Sequence, residues 1–308
     1  MPLRLLAALI ALAVVAGCGQ RAAASGFTAG RLNVVTSFYP LEFLSKRIGG
    51  AAVNVTDLTK PGAEPHDVEL NPRQVGRVAD AGLAVYLHGF QPAVDDAVGQ
   101  EAKGRAFDVA TTVSLLPLAD GTDGRPLPGA DHPETANGMD PHVWLDPVRF
   151  ATIADRLAQR LGQADPAHAA DYTARAAQVH ADLDALDAEF AARLKNCQRR
   201  EIVTSHSAFN YLATRYGLTQ VGITGISPEA EPSPRRLGQV AAQARATGTT
   251  TIFFETLVSP KVAETIAREV GARTAVLDPL EGLTQPGADY FSVMRDNLAA
   301  LTTALGCT

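Results

Sequence analysis

Basic and aromatic residues are scarce in this chain. Lysine and arginine total 27 against 33 acids, and no block of them stands out. A nucleic-acid partner is therefore not expected, because such partners demand a basic patch. Aromatic residues are 6% of the chain, with a single tryptophan. Long apolar runs are also missing: the stretch Leu5 to Val15 falls short of the roughly 20 residues that cross a bilayer as a helix. No His-Glu-x-x-His element occurs, so the motif of a zinc hydrolase is absent. What is present fits an ordinary globular protein rather than a disordered one: 308 residues, 46% apolar and 19% charged, with a net charge of −6. That length suffices for two domains with substantial cores. The mild acidity suits a cationic ligand and gives it only weak support.

The N-terminus indicates export. Arg4 supplies a positive start, the apolar run follows, and Val15-Ala16-Gly17-Cys18 closes it, the layout of a secretory signal. The small residues before Cys18 resemble a bacterial lipoprotein cleavage box. By that resemblance residues 1–17 are a signal peptide, Cys18 becomes the lipidated first residue, and 18–26 form a flexible tether. A plain signal peptide with an incidental Cys18 is the other reading. Two cysteines remain, Cys197 and Cys307. In an exported protein such a pair is most simply a disulfide, and neither has a Cys or His at finger-like spacing.

Along the body of the chain, strands and helices alternate. Leu32–Ser37, Val53–Leu58, Leu83–Leu87 and Ala106–Val109 read as strands, with helices at Leu41–Ile48 and from Asn71-Pro72 to about Ala81. Periodicity vanishes from Pro117 to Pro141, which reads as a long exposed loop holding His132 and Met139. Pro147–Leu161 is again helical. From Pro166 to Cys197, apolar residues recur at Tyr172, Ala176, Val179, Leu183, Leu186, Phe190 and Leu194, a single stripe on one long helix. The second half repeats the grammar: strands at Glu201–Ser205, Gln220–Ile226, Thr251–Phe254 and Thr274–Leu277, with helices between and a closing helix at Phe291–Leu305. No internal sequence repeat is evident. The expected fold is α/β: two Rossmann-like lobes with parallel sheets (27–163 and 198–308), joined by one long backbone helix (164–197).

Chemistry collects at strand ends. His66, His206 and Asp278 lie just beyond the carboxyl ends of predicted strands, where open α/β sheets bind ligands. His142 comes from a loop facing the same edge, inside Asp140-Pro141-His142-Val143-Trp144-Leu145-Asp146-Pro147, where prolines stiffen the backbone on both sides. An isolated histidine after a strand is commonly a hydrogen-bonded structural residue. Here His66, His142 and His206 share Pro- or Ser-flanked turns, whereas His88, His168 and His180 sit at a strand end or on helix faces and read as solvated or structural. His132 reads as an exposed bystander near the cleft. Three imidazoles and one carboxylate, His66, His142, His206 and Asp278, form a closed four-coordinate set for a borderline cation such as Zn2+ in the cleft between the lobes. Mn2+, a harder ion, would be better served by a second carboxylate.

Val34–Tyr39, Pro61–Asp67, Asp140–Pro147, Ser205–Phe209 and Gly225–Pro232 together resemble the cluster A-I substrate-binding proteins, the zinc and manganese receptors of ABC importers. The resemblance covers nearly all of the chain after the tether. It implies two α/β lobes joined by a long helix with metal between them, and carries the ligand role to His66, His142, His206 and Asp278. Manganese-selective members typically hold a glutamate at the third position, so His206 favours zinc over manganese. Many zinc-receptor relatives have a long His- and Asp-rich loop before the second ligand; here that loop is short and holds only His132. The implied function is a monomeric, non-enzymatic zinc receptor, lipid-anchored on the extracytoplasmic face of the cell membrane, serving the permease and ATPase subunits of an importer. The competing expectations are a manganese receptor, a zinc hydrolase using Glu255 or Glu229 as base, and a surface adhesin.

Overall fold

The computed structural model of the protein describes residues 26–118 and 138–308. The expected signal peptide, Cys18, most of the tether and His132 lie outside the described residues. Among the described residues no helix is long and apolar enough to cross a membrane.

The first half contains β1 (Phe27–Thr28), β2 (Arg31–Thr36), α1 (Tyr39–Gly49), β3 (Val53–Asp57), α2 (Pro72–Asp80), β4 (Leu83–Tyr86), α3 (Pro92–Glu101) and β5 (Ala106–Asp108). Its parallel strands lie in the order β3-β2-β4-β5, with β1 running antiparallel beside β2. Then come α4 (Pro147–Ala164) and α5 (Ala169–Arg193). The second half contains β6 (Glu201–Thr204), α6 (Asn210–Tyr216), β7 (Thr219–Gly222), α7 (Pro234–Ala246), β8 (Thr251–Phe254), α8 (Lys261–Val270), β9 (Arg273–Val276) and α9 (Tyr290–Leu305). Its sheet is fully parallel, in the order β7-β6-β8-β9. The two sheets share one topology: the chain steps outward to one edge, then crosses back to the other side of its starting strand. Loops leaving the carboxyl ends of β3, β6 and β9 supply His66, His206 and Glu281 to the site described below.

The short β1 and the helix α3 have little sequence signal. β1 is two residues long, and α3 rests on Pro92 at its first turn and a small apolar face of Val94, Ala97 and Val98. The apolar run from Gln220 to Ile226 ends as a strand at Gly222. Beyond it the backbone turns to brace the start of the next loop: Ile223 and Thr224 N–H donate to Thr204 and Ser205 carbonyls, and Ser207 N–H donates to Gly225. A side chain at Gly222 would collide with Ser207 Oγ, so only glycine permits this approach.

The long helix begins later and ends earlier than the Pro166–Cys197 span expected of it. A 3-10 turn at Pro166–His168 precedes it, and Asp165 ties the start by accepting from His168 Nδ1 and Tyr172 OH, both at 2.7 Å. At about 1.5 Å per residue α5 runs roughly 37 Å. Tyr172, Ala176, Val179, Leu183, Leu186 and Phe190 are all buried, and α5 packs on α1, α4 and α9, bridging the halves. Burial of each large apolar side chain contributes about 1.5–3 kcal/mol, so this stripe is a principal bond between them. One continuous apolar cluster, from Leu32 to Leu305, spans both halves. Cys197 and Cys307 form a disulfide across 110 residues of sequence, closing the C-terminal tail against the end of the α5 segment.

Candidate metal centre

The stretch around His142 is a wedge between the halves. Trp144 Nε1 donates to the Pro279 carbonyl at 2.8 Å, and Tyr290 OH donates to the Trp144 carbonyl at 2.7 Å. Tyr211 OH donates to the Asp140 carbonyl at 2.8 Å while accepting from Leu116 N–H. Trp144 itself packs on Phe38 and Phe90. Asp146 caps α4 by accepting from Val148 and Arg149 N–H, and Pro147 opens the helix. The histidine is thus held from both ends. Asp140 Oδ1 accepts the His142 backbone N–H at 3.0 Å and lies 2.8 Å from Nδ1, leaving Nε2 to face inward.

His66 ends the loop after β3. Buried Gln91 pins that loop by donating to the Pro65 carbonyl and to Thr59 Oγ1, and Glu64 Oε1 accepts the His66 backbone N–H. His206 follows β6, its carbonyl taking hydrogen bonds from Thr204 Oγ1 and Gln220 Nε2, and its Nδ1 sits 2.8 Å from Glu255 Oε1.

The carboxylate that lies with the three rings is Glu281, where Asp278 was expected. His66, His142, His206 and Glu281 each offer a ligand atom within 4.8 Å of the others, and this is the one such metal-sized group among the described residues. Asp278 serves the turn instead. Its Oδ1 accepts Leu280 N–H at 2.8 Å and its Oδ2 accepts from Thr256 at 3.0 Å, while its backbone is held on both sides by Asn297. Leu280, with φ of 61°, reverses the chain so that the carboxylate of the next residue, Glu281, points inward. The strand-end rule selected the loop that reaches the rings, but the acid that clusters with them is Glu281, not Asp278. An Asp followed by Pro is a turn former, and that signal pointed away from Asp278.

Glu281 Oε1 lies 3.3 Å from His66 Nε2, 3.0 Å from His142 Nε2 and 3.2 Å from His206 Nε2, and the last two nitrogens are 3.4 Å apart. A tetrahedral centre with bonds of about 2.0–2.1 Å sets its donors about 3.3–3.4 Å apart. These four spacings, 3.0–3.4 Å, lie near that edge length. Exposure is 8% for His66, 0% for His142, 1% for His206 and 0% for Glu281, so a bound ion would be shielded from water. Glu281 Oε2 is buried without a hydrogen-bond partner among the described residues, which leaves it free for a cation.

Burial opposes charge on every ring. For His66 it prevails and lowers the pKa, despite the attraction of Glu281. For His142 burial is outweighed by hydrogen bonds to Asp140 and Glu281, and for His206 by the charges of Glu255 and Glu281, so both are raised, His206 strongly. Burial would raise Glu281, but His206 and His66 hold it well below the usual carboxylate range. Glu64 is pushed up to about 8 by burial and by the neighbouring Glu281.

The remaining histidines stay outside. His88 is exposed beside Asp95, His168 pairs with Asp165, and His180 pairs with Asp155. Sequence reasoning missed Glu281, the roles of Glu64 and Asp140 beside their histidines, and the contact of Glu255 with His206, having weighed Glu255 only as a base. The repeated acid-Pro-His pattern in Glu64-Pro65-His66 and Asp140-Pro141-His142 is the signal that could have found two of them.

The chain is similar to known proteins over most of its length. Residues 34–304 match the family model described as zinc-uptake complex component A, periplasmic. The zinc-binding lipoprotein AdcA of Streptococcus pneumoniae is 36% identical over 307 residues, which cover 96% of this chain and 59% of the relative. The high-affinity zinc uptake system protein ZnuA of Bacillus subtilis is 32% identical, covering 95% of this chain and 94% of the relative. This chain therefore spans little more than half the length of the AdcA relatives it matches. Among solved structures, the Zn(II)-bound ZnuA-like domain of Streptococcus pneumoniae AdcA superposes with a TM-score of 0.74 at 34% identity, covering 90% of this chain and 99% of that one. The laminin-binding protein of Streptococcus agalactiae, described as a bifunctional protein with adhesin and metal transporting activity, gives 0.78 at 33% identity, covering 89% and 99%. With two like-ordered parallel sheets, a bridging helix and a buried three-histidine, one-carboxylate cluster between them, the chain belongs to the family of zinc-uptake complex component A.

Proposed function

We propose that this chain is an extracytoplasmic receptor that binds one Zn2+ through His66, His142, His206 and Glu281 and delivers it to the permease and ATPase subunits of an ABC importer. The observation that carries the reading is the gathering of four buried donors within 4.8 Å of one another, four of whose spacings lie near the edge of a tetrahedral zinc site. Three nitrogens and one carboxylate suit zinc better than manganese, whose harder character favours oxygen. Four protein donors in a buried cluster also leave no obvious position for the reactive water of a hydrolytic zinc site. In this reading the ion is cargo. Residues 27–163 and 198–308 act as the lobes that enclose it, and 164–197 connects them. Cys18, lipidated after loss of residues 1–17, tethers the receptor to the outer face of the membrane, in keeping with relatives named as lipoproteins.

The test is a competitive titration of the metal-free protein with zinc and manganese, alongside His142→Ala. The expected result is one zinc per chain, preference over manganese, and a large loss of affinity in the variant. Equal zinc binding by His142→Ala would overturn the assignment. Cys18→Ala should abolish incorporation of labelled fatty acid in the producing cell, and continued labelling would refute the anchor.

A further inference from the structure

We propose that Asp140 and Glu255 are positioning residues of this centre, which set the donor strength of His142 and His206 and through it the preference for zinc over manganese. The inference rests on the zinc reading above and deepens it.

Both carboxylates are buried, Asp140 at 0% and Glu255 at 3% exposure. Each touches Nδ1 of its histidine at 2.8 Å, from the side of the ring opposite the cluster. Among the described residues neither carboxylate pairs with lysine or arginine, and Asp140 Oδ2 and Glu255 Oε2 have no hydrogen-bond partner. Their charge is therefore directed at the rings. A carboxylate that accepts from Nδ1 fixes the tautomer with Nε2 bare, locks the ring plane, and increases electron donation at Nε2. A borderline acceptor such as zinc gains more from a stronger nitrogen donor than a harder ion such as manganese.

The third histidine supplies an internal contrast. In Glu64-Pro65-His66 and in Asp140-Pro141-His142, the acid accepts the backbone N–H of the histidine two residues on, at 3.0 Å in both. Asp140 uses the same oxygen to reach the ring as well. The contact of Glu64 stops at the backbone, and His66 instead sets its ring edgewise against Phe90 at 4.7 Å. The prolines make the two turns alike locally, while the acids treat the rings differently. Two donors are electronically reinforced and one is not.

The experiment measures zinc and manganese dissociation constants and the Co2+ absorption spectrum of the full chain and its variants. Asp140→Ala and Glu255→Ala should each weaken zinc about 10–100-fold, the usual cost of losing such an outer partner. Manganese should weaken by less, and the cobalt bands should shift and lose intensity. Glu255→Gln should recover part of the zinc affinity, since its amide oxygen still accepts from Nδ1. Glu64→Gln should leave the cobalt bands in place. Melting of the metal-free variants near the parent temperature shows that the fold is kept. The proposal is overturned if both alanine variants bind zinc within about twofold of the parent. It is equally overturned if zinc and manganese weaken alike with an unchanged cobalt spectrum, or if Glu64→Gln perturbs the spectrum as strongly as the other two. Failure of the parent chain to bind zinc would overturn the functional reading and this inference together, whereas normal parent binding with unaffected variants overturns the inference alone.

Discussion

Replacing Glu281 or Asp278 by alanine separates two carboxylates that lie three residues apart and have different jobs. Glu281 is the centre's single carboxylate, within 3.0–3.3 Å of all three imidazole Nε2 atoms. Its removal leaves three neutral donors and opens a position to water. The loss should exceed that of an outer-sphere partner, hence about 100-fold or more in zinc affinity, equivalent to about 2.7 kcal/mol or more. Asp278 instead accepts from Leu280 N–H and Thr256 Oγ1. Losing two hydrogen bonds at about 0.5–1.5 kcal/mol each predicts about 1–3 kcal/mol of lost stability, with zinc affinity changed only a few-fold. Competition against a chromophoric chelator reads the affinity, and denaturant unfolding of the metal-free protein reads the stability. If Asp278→Ala abolishes zinc binding while unfolding is unchanged, and Glu281→Ala binds normally, the ligand assignment is reversed and the geometric reasoning fails.

Two further outcomes follow from the same geometry. Protons compete with zinc for the rings, and the raised pKa values of His142 and His206 extend that competition above the ordinary histidine range. In the metal-free protein these raised groups contribute stability below an unfolded value of about 6.5, and lose it as pH rises through their folded values. Both effects act in one direction, so the rise in melting temperature caused by saturating zinc should grow from pH 6 to pH 8; a flat or falling trend would contradict this account. The Cys197–Cys307 disulfide lies at the C-terminal tail, away from the four donors, so Cys307→Ser should cost about 2–5 kcal/mol and leave zinc affinity nearly unchanged. A matching loss of affinity would show that the tail and the centre are coupled.

How much of this was legible in advance varied with the range of the interactions involved. The stripe from Tyr172 to Phe190 announced α5 because helical periodicity is local, and all six residues are buried in the structure. Short apolar runs announced most strands for the same reason. By contrast, β7 stops at Gly222 because the following backbone is needed to brace the loop of His206, a demand made by residues well before it. The helix α3 carries too small an apolar face to stand out before its partners are known. His66, His142 and His206 were recognisable from stiff turns and strand ends, and from the motifs shared with a known family.

The choice of the fourth partner was a tertiary matter. Both Asp278 and Glu281 sit in the loop after β9, and the sequence pattern favoured the one nearer the strand. The structure assigns the nearer acid to the turn, where Leu280 N–H, Thr256 and Asn297 hold it, and the left-handed conformation of Leu280 carries Glu281 to the three rings. The pairing of Asp140 and Glu255 with particular ring nitrogens is likewise set by folding, since Glu255 is 49 residues from His206. Sequence alone determined the periodic elements, the α/β class, the compartment signals and three of the four clustered side chains, because each depends on neighbours along the chain. The carboxylate that completes the cluster, and those that orient its histidines, depended on which side chains the packed lobes bring within hydrogen-bonding reach.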